Sequence, residues 1–167
     1  MSQTTVVDAI VDLIRSVPRI GIVFDHDPWD RNDIRNVLMS QIGGQSVLRA
    51  WWVSGPTMGA AQEDASADRV SFGNMPMRTW TYTIHGVEGL APAYPGDTRG
   101  PGGDIVTLRA NAVAITDALD EDVLLGGTAP AALPCVWPNQ PAHRVFDARV
   151  VVSYIQIVKQ VITLGTP

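Results

Sequence analysis

The chain has 167 residues, of which 46% are apolar, and carries a formal net charge of −5. That length suits a single domain, residues 1–167, able to bury roughly 70% of its unfolded-chain surface, and no apolar run approaches the ~20 residues of a bilayer-spanning helix. Eleven scattered arginines and a single lysine, Lys159, form no basic stripe of the kind a dedicated nucleic-acid binder carries, and one cysteine, Cys135, permits neither an internal disulfide nor a thiolate metal cage.

The first residues, MSQTTVVDAIVDLIRS, lack a basic leader, and Asp8 and Asp12 interrupt their apolar positions, so they are expected to belong to the fold rather than to a targeting signal. Val6, Ile10, Leu13, Ile14 and Val17 recur at steps of three and four, which predicts an amphipathic helix. Thr5 and Asp8 come close to a capping box at its start, and Pro18 ends it by excluding the residue before it from the helical region. RIGIVFD reads as a short strand and DHDPWDRND as a polar turn. A second short helix is expected from Asp30 or Asn32 to Gln41, with Ile34, Val37 and Leu38 inward and Gly43–Gly44 closing it.

SVLRAWWVSG is a second strand and RTWTYTIHGVEGL a third, in which Trp80, Tyr82 and Ile84 share one face and Thr79, Thr81, Thr83 and His85 the other. Residues 55–76 and 91–103 are polar, small or rich in proline and glycine, and are expected to be long loops. Loops of that length commonly carry function. Ile105, Leu108, Ala112, Ile115 and Leu119 then mark the clearest helix, with Asp104 at its N-cap and Gly126–Gly127 beyond its end. AALPCVWP reads as a short strand broken by prolines. RVFDARVVVSYIQIVKQVITL reads as one long strand, apolar on both parities beyond Val150 and therefore covered on both faces at its far end. The expected fold is α+β: a mostly antiparallel sheet of four or five strands, two or three helices on one face, and long inserted loops.

Candidate chemistry is sparse. Asp25, His26, Asp27 and Asp30 put three carboxylates and an imidazole within six residues, which could hold a divalent cation. The stretch lacks the EF-hand order, however, and a solvated turn capping the next helix explains it equally. His85 would need a nucleophile and an orienting carboxylate; Ser71 and Glu88 are near in sequence, but there is no GxSxG elbow. Cys135 and His143 suggest a thiol–imidazole pair, yet Cys135 lies in apolar, proline-flanked surroundings that favour an inert thiol. GDTRGPGGD precedes a helix, where phosphates bind, but it has neither the P-loop ending nor the GxGxxG spacing, and Asp104 would repel an anion. No catalytic residue, cofactor or metal ligand is therefore assigned. Trp51 and Trp52, being adjacent, face opposite sides of a strand: one can enter the core, and the other faces solvent, a covering element or a partner. Tryptophan is enriched at interface hot spots, and arginine's planar fork suits interface ion pairs. The interface candidates are accordingly Trp51, Trp52 and, in or beside the loops, Met58, Phe72, Tyr94 and Arg99.

The order of elements resembles the tail terminator and tail-completion (neck) proteins of tailed bacteriophages. The likeness rests on Trp80, Ile84, Gly86, Gly89 and Leu90 at the end of the third strand, and on Leu125, Gly126 and Gly127 after the long helix. The chain departs from that pattern where residues 91–103 separate Gly-Leu from the helix, and in the length of 55–76. The resemblance implies a non-catalytic virion subunit without a cofactor, made in the host cytoplasm, that forms a homo-oligomeric ring, expected to be a hexamer. Its partners would be the tail tube protein and the head–tail connector or stopper, with DNA only as passing cargo and no membrane. The alternatives are another neck or tail component (a head–tail stopper, minor tail or tube protein), a small metal-dependent hydrolase using Asp25, His26, Asp27 and His85, and a binding module whose pocket is lined by tryptophans.

Overall fold

The computed structural model describes residues 3–28, 37–42, 45–58, 77–89, 103–146 and 150–164. Helix α1 (Gln3–Ser16) turns Val6, Ile10 and Ile14 inward and Asp8, Asp12 and Arg15 outward. The chain then reverses through Arg19 and Gly21, both at positive φ (59° and 95°), into β1 (Ile22–Phe24). A side chain at position 21 would place its Cβ 2.5 Å from the carbonyl oxygen of Arg49, so the close approach as well as the φ requires glycine. Strands β2 (Met39–Ile42), β3 (Gln45–Met58) and β4 (Met77–Gly89) follow, then helix α2 (Gly103–Glu121) and strands β5 (Ala131–Ala132), β6 (Ala142–Phe146) and β7 (Val150–Leu164).

The fold is α+β. Its sheet runs β1-β3-β4-β7-β5, with β2 also on β3 and β6 also on β7. It is mostly antiparallel, as expected, but mixed, because β1 joins β3 in parallel register (Val23 opposite Trp51), and seven strands take part rather than four or five. Antiparallel β2 and parallel β1 meet on β3 at Arg49. There the Ser40 hydroxyl accepts from the amide of Ile22 (2.8 Å) and donates to the carbonyl of Arg49 (2.5 Å), carrying the ladder across the change of partner.

Two expectations are corrected. Residues 39–42 are a strand, not the end of a helix. They pair with β3 from Ile42 opposite Gln45, and the Gly-Gly link between the strands has the length and composition of a tight hairpin; the expected helical residues 30–36 lie outside the described set. The long C-terminal run is likewise a hairpin, with Phe146 opposite Val150, so that Asp147–Arg149 divides it into β6 and β7. Strand β3 also extends to Met58, four residues into the expected loop 55–76, past a bulge between Ser54 and Thr57. The remainder of that loop and nearly all of 91–103 lie outside the described residues.

The main core lies between the helices and one sheet face, where Trp51, Val53, Tyr82, Ile84, Ile155 and Ile157 meet α1 and α2. On the other face Ala50, Trp52, Val87, Val152 and Tyr154 form a smaller core with Leu38. From Ala131 to Phe146 the chain runs along the outer edge of β7, tied at Ala132–Val161, Val136–Val158 and Ala142–Tyr154. Pro134, Pro138 and Pro141 punctuate this edge and remove donors another chain could pair with.

Candidate functional site

The chemistry-bearing side chains converge on the centre of β3, β4 and β7. Trp51, Gly86 and Ile155 lie opposite one another on the helix-facing side, and Trp52, His85 and Gln156 on the other. Both tryptophans are fully buried on opposite faces of the sheet, so of the surroundings expected for the second the structure shows a covering element. The covering element is the second core, which encloses Trp52. The Trp51 ring lies against Gly86, where an added Cβ would fall 2.4 Å from a ring carbon.

His85 stacks on Trp52 with ring centroids 5.0 Å apart and planes 6° from parallel, and its Nδ1 shares a hydrogen bond of 2.6 Å with the Tyr154 hydroxyl. It is therefore a partnered residue of a central strand. Glu88, its sequence-near carboxylate, is three positions away and projects through the opposite face. There it meets Arg49 directly across the sheet, with guanidinium nitrogens 2.5 and 2.6 Å from the two carboxylate oxygens. The remaining guanidinium nitrogen donates to the carbonyl of Arg19 (2.9 Å), fastening the α1–β1 reversal to the sheet. The ion pair is almost completely buried, with 8% and 2% of its side chains exposed, so the bidentate geometry is needed to offset desolvation.

A second buried cation lies on the same face of the sheet, on β7 opposite Tyr82, six residues along β4 from Glu88. Lys159, 1% exposed, donates to the carbonyl of Leu119 (2.9 Å) and to Asp120 (2.7 Å), holding the C-terminal end of α2 on β7. The Asp120 carboxylate also accepts from the Cys135 amide at 2.9 Å. Burial pushes Asp120 upward, but these hydrogen bonds outweigh it and leave the carboxyl below its ordinary range. Burial pushes the Cys135 thiol up to about 12, against the opposing charge of Lys159, so the thiolate that reacts with electrophiles or metals is suppressed.

The Asp25–Asp27 turn is exposed. His26 hydrogen-bonds to Asp25, and this contact holds the Asp25 carboxyl below its usual range. Asp27 instead accepts from the Ser54 hydroxyl (2.7 Å). His26 and His85 thus belong to separate clusters, and among the described residues no three His, Cys, Asp or Glu side chains gather around a common point. Phe72, Tyr94, Arg99, Asp30 and Ser71 lie outside the described residues, as do the side chains of Met58 and His143.

Sequence reasoning missed Arg49, Glu88, Lys159 and Tyr154. The signal was present for two of them: Lys159 shares parity with Ile155, Ile157 and Val161, and Glu88 with Ile84 and Tyr82, so each places a charge on a core-facing line. After α2, the Asp122 carboxylate accepts from the amides of Leu124 and Gly126 (3.2 and 2.6 Å) while Leu125, Gly126 and Gly127 all take positive φ, which drives Leu125 into the core. No protein-family model and no curated protein matches the chain.

Proposed function

We propose that the chain is a structural virion subunit that forms a ring on the head-proximal end of a phage tail tube, ends tube polymerisation and joins the tail to the head connector. One observation carries this reading: the glycines of the phage-like signature, together with Leu125, stand where the backbone or its neighbours leave little room for other residues. Gly86 lies beneath Trp51, Gly89 would meet Leu48 at 2.8 Å if it bore a Cβ, and Leu125–Gly126–Gly127 turns the chain out of α2. The polar groups nearby are bonded to one another in a pattern suited to holding a sheet rigid: Arg49 to Glu88, His85 to Tyr154, Lys159 to Asp120.

A closed ring of identical subunits uses heterologous contacts, so each copy presents two different surfaces. Six copies are expected, with the tube protein on one side and the connector or stopper on the other. An acidic subunit also suits passage of DNA, since a basic lumen would hold the phosphates. Among the described residues no helix is long and apolar enough to cross a membrane; the proposed location is the neck of the virion, after assembly in the host cytoplasm. Electron microscopy of the purified chain mixed with tail tubes tests the reading. Rings at tube ends, and tubes of uniform length, are expected. A protein that never forms rings and never associates with tubes or connectors overturns it.

A further inference from the structure

An apolar groove of about 440 Å³ lies between α1 and the turn that follows α2. Ala9 and Leu13 from α1 and Leu125 from the turn form its floor, and Asp8, Asp12 and Asp122 stand around it. The sequence sets this layout. Ala9 and Leu13 each follow an aspartate by one position, a rotation of about 100° toward the core-facing line of Val6, Ile10 and Ile14. On the other wall the Asp122 carboxylate is fixed by the amides of Leu124 and Gly126. A Cβ at Gly126 would meet nothing within 4 Å, so the groove is open on that side.

We infer that this groove receives an arginine side chain from a segment of a partner protein. Its charge selects a cation. Asp8 and Asp12 are like charges one turn apart, an arrangement that costs a helix stability, and among the described residues Asp8 has no hydrogen bond or ion pair. The nearest cation is Arg15, 3.6 Å from Asp12, but both side chains are more than half exposed, so solvent weakens the pair. The Arg15 guanidinium also donates to the carbonyl of Val23, past the other end of α1. Arg109 lies in the first half of α2, away from the turn, and Lys159 is enclosed beneath that helix.

The shape of the groove selects the kind of cation. A bare metal ion does not fit, because among the described residues no three carboxylates or imidazoles gather around one point. The apolar floor instead matches the methylene stem of a long cationic side chain. A planar guanidinium, with five donors, can reach carboxylates on both walls, whereas an ammonium is a single point of charge. Exposed ion pairs each contribute little, so one arginine binds weakly and in a salt-dependent way, and apolar residues flanking it supply the rest. The inference concerns one side of α1 and goes beyond the ring reading.

Fluorescence anisotropy tests it, with the full chain titrated at low salt into a labelled, end-capped peptide that carries arginines between leucines. Saturable binding is expected at roughly micromolar to millimolar chain. Affinity should fall about fivefold in Asp8→Asn and in Asp12→Asn. It should fall by about tenfold for the same peptide with citrulline in place of arginine, which keeps the shape and removes the charge. Asp8 and Asp12 are exposed, so their variants will fold. Asp117→Asn, on the outward side of α2, removes the same charge and should leave the affinity unchanged. Equal weakening by Asp117→Asn overturns the inference, since the peptide would then be following the net charge of −5. Equal binding of the citrulline peptide, or no saturable binding, overturns it too. So does self-association of the chain that Asp8→Asn abolishes, because the occupant would then be a second copy.

Discussion

Replacing Gly86 by alanine separates two accounts of the central strand. If Gly86 were an ordinary strand glycine, alanine would stabilise the fold by about 0.5–1 kcal/mol through lower backbone entropy in the unfolded chain. The structure predicts the opposite sign. The new Cβ would lie 2.4, 2.5 and 2.7 Å from three carbons of the Trp51 ring, against an optimum of about 3.5–4.0 Å. Relief therefore requires a shift of about 1 Å or more, and Trp51, wholly buried among α1, α2 and the sheet, cannot swing out into solvent to supply it. Overpacking of this kind typically costs about 1–3 kcal/mol. Taking the upper end and subtracting the entropic gain leaves a net loss of about 2 kcal/mol. With a urea m-value of about 2 kcal/mol/M, the unfolding midpoint should fall by about 1 M. In the Gly86→Ala background, Trp51→Phe should recover part of the loss, giving a favourable coupling of about 1 kcal/mol or more in a double-mutant cycle. A Gly86→Ala protein as stable as wild type, or two substitutions that simply add, would refute the packing argument.

Glu88→Ala should destabilise by about 3–5 kcal/mol in the same urea assay, because it strands the buried Arg49 charge, whereas Arg49→Met with Glu88→Leu should lose much less. Asp120 is depressed in the folded state from an ordinary 3.8, so its contribution is complete above that pH and is lost as the pH falls through the folded value. Asp120→Asn should remove part of the acid-side slope of stability measured between about pH 5 and pH 2. Cys135, with its thiol pushed up to about 12, should react with a thiol-specific reagent at pH 8 at least tenfold more slowly in the native protein than in urea, where the thiol returns to about 8.5. Equal labelling rates would contradict its burial.

What the sequence disclosed followed periodicity. The 3.6-residue spacing of Val6, Ile10 and Ile14, and of Leu108, Ala112, Ile115 and Leu119, located both helices, and the alternation of Trp80, Tyr82 and Ile84 assigned the inner face of β4 correctly. The hairpins were hidden for a physical reason. Residues 39–42 and 45–48 interrupt no apolar pattern, and Asp147–Arg149 is a break of only three residues in a β-branched run, so neither turn altered the local period. The parallel β1 was equally hidden, since its direction is fixed by the reversal at Arg19–Gly21 and by the Ser40 relay, and both depend on tertiary partners. At the site, adjacency in sequence offered Glu88 as the carboxylate beside His85, yet three steps along a strand reverse the face. The partners that matter, Tyr154 for His85 and Arg49 for Glu88, lie 69 and 39 residues away.

The enclosure of Lys159 has a consequence for surface chemistry. It is the chain's sole lysine, and its ammonium is held under α2 by Leu119 and Asp120. Every cation the folded surface offers to a partner is therefore a guanidinium or an imidazolium, apart from the chain terminus. Acylating reagents and amine-directed crosslinkers find no side chain to modify until the α2–β7 seam opens. Acetylation of Lys159, followed by mass spectrometry, thus becomes a clock for that opening, with a single reporter placed by the fold itself.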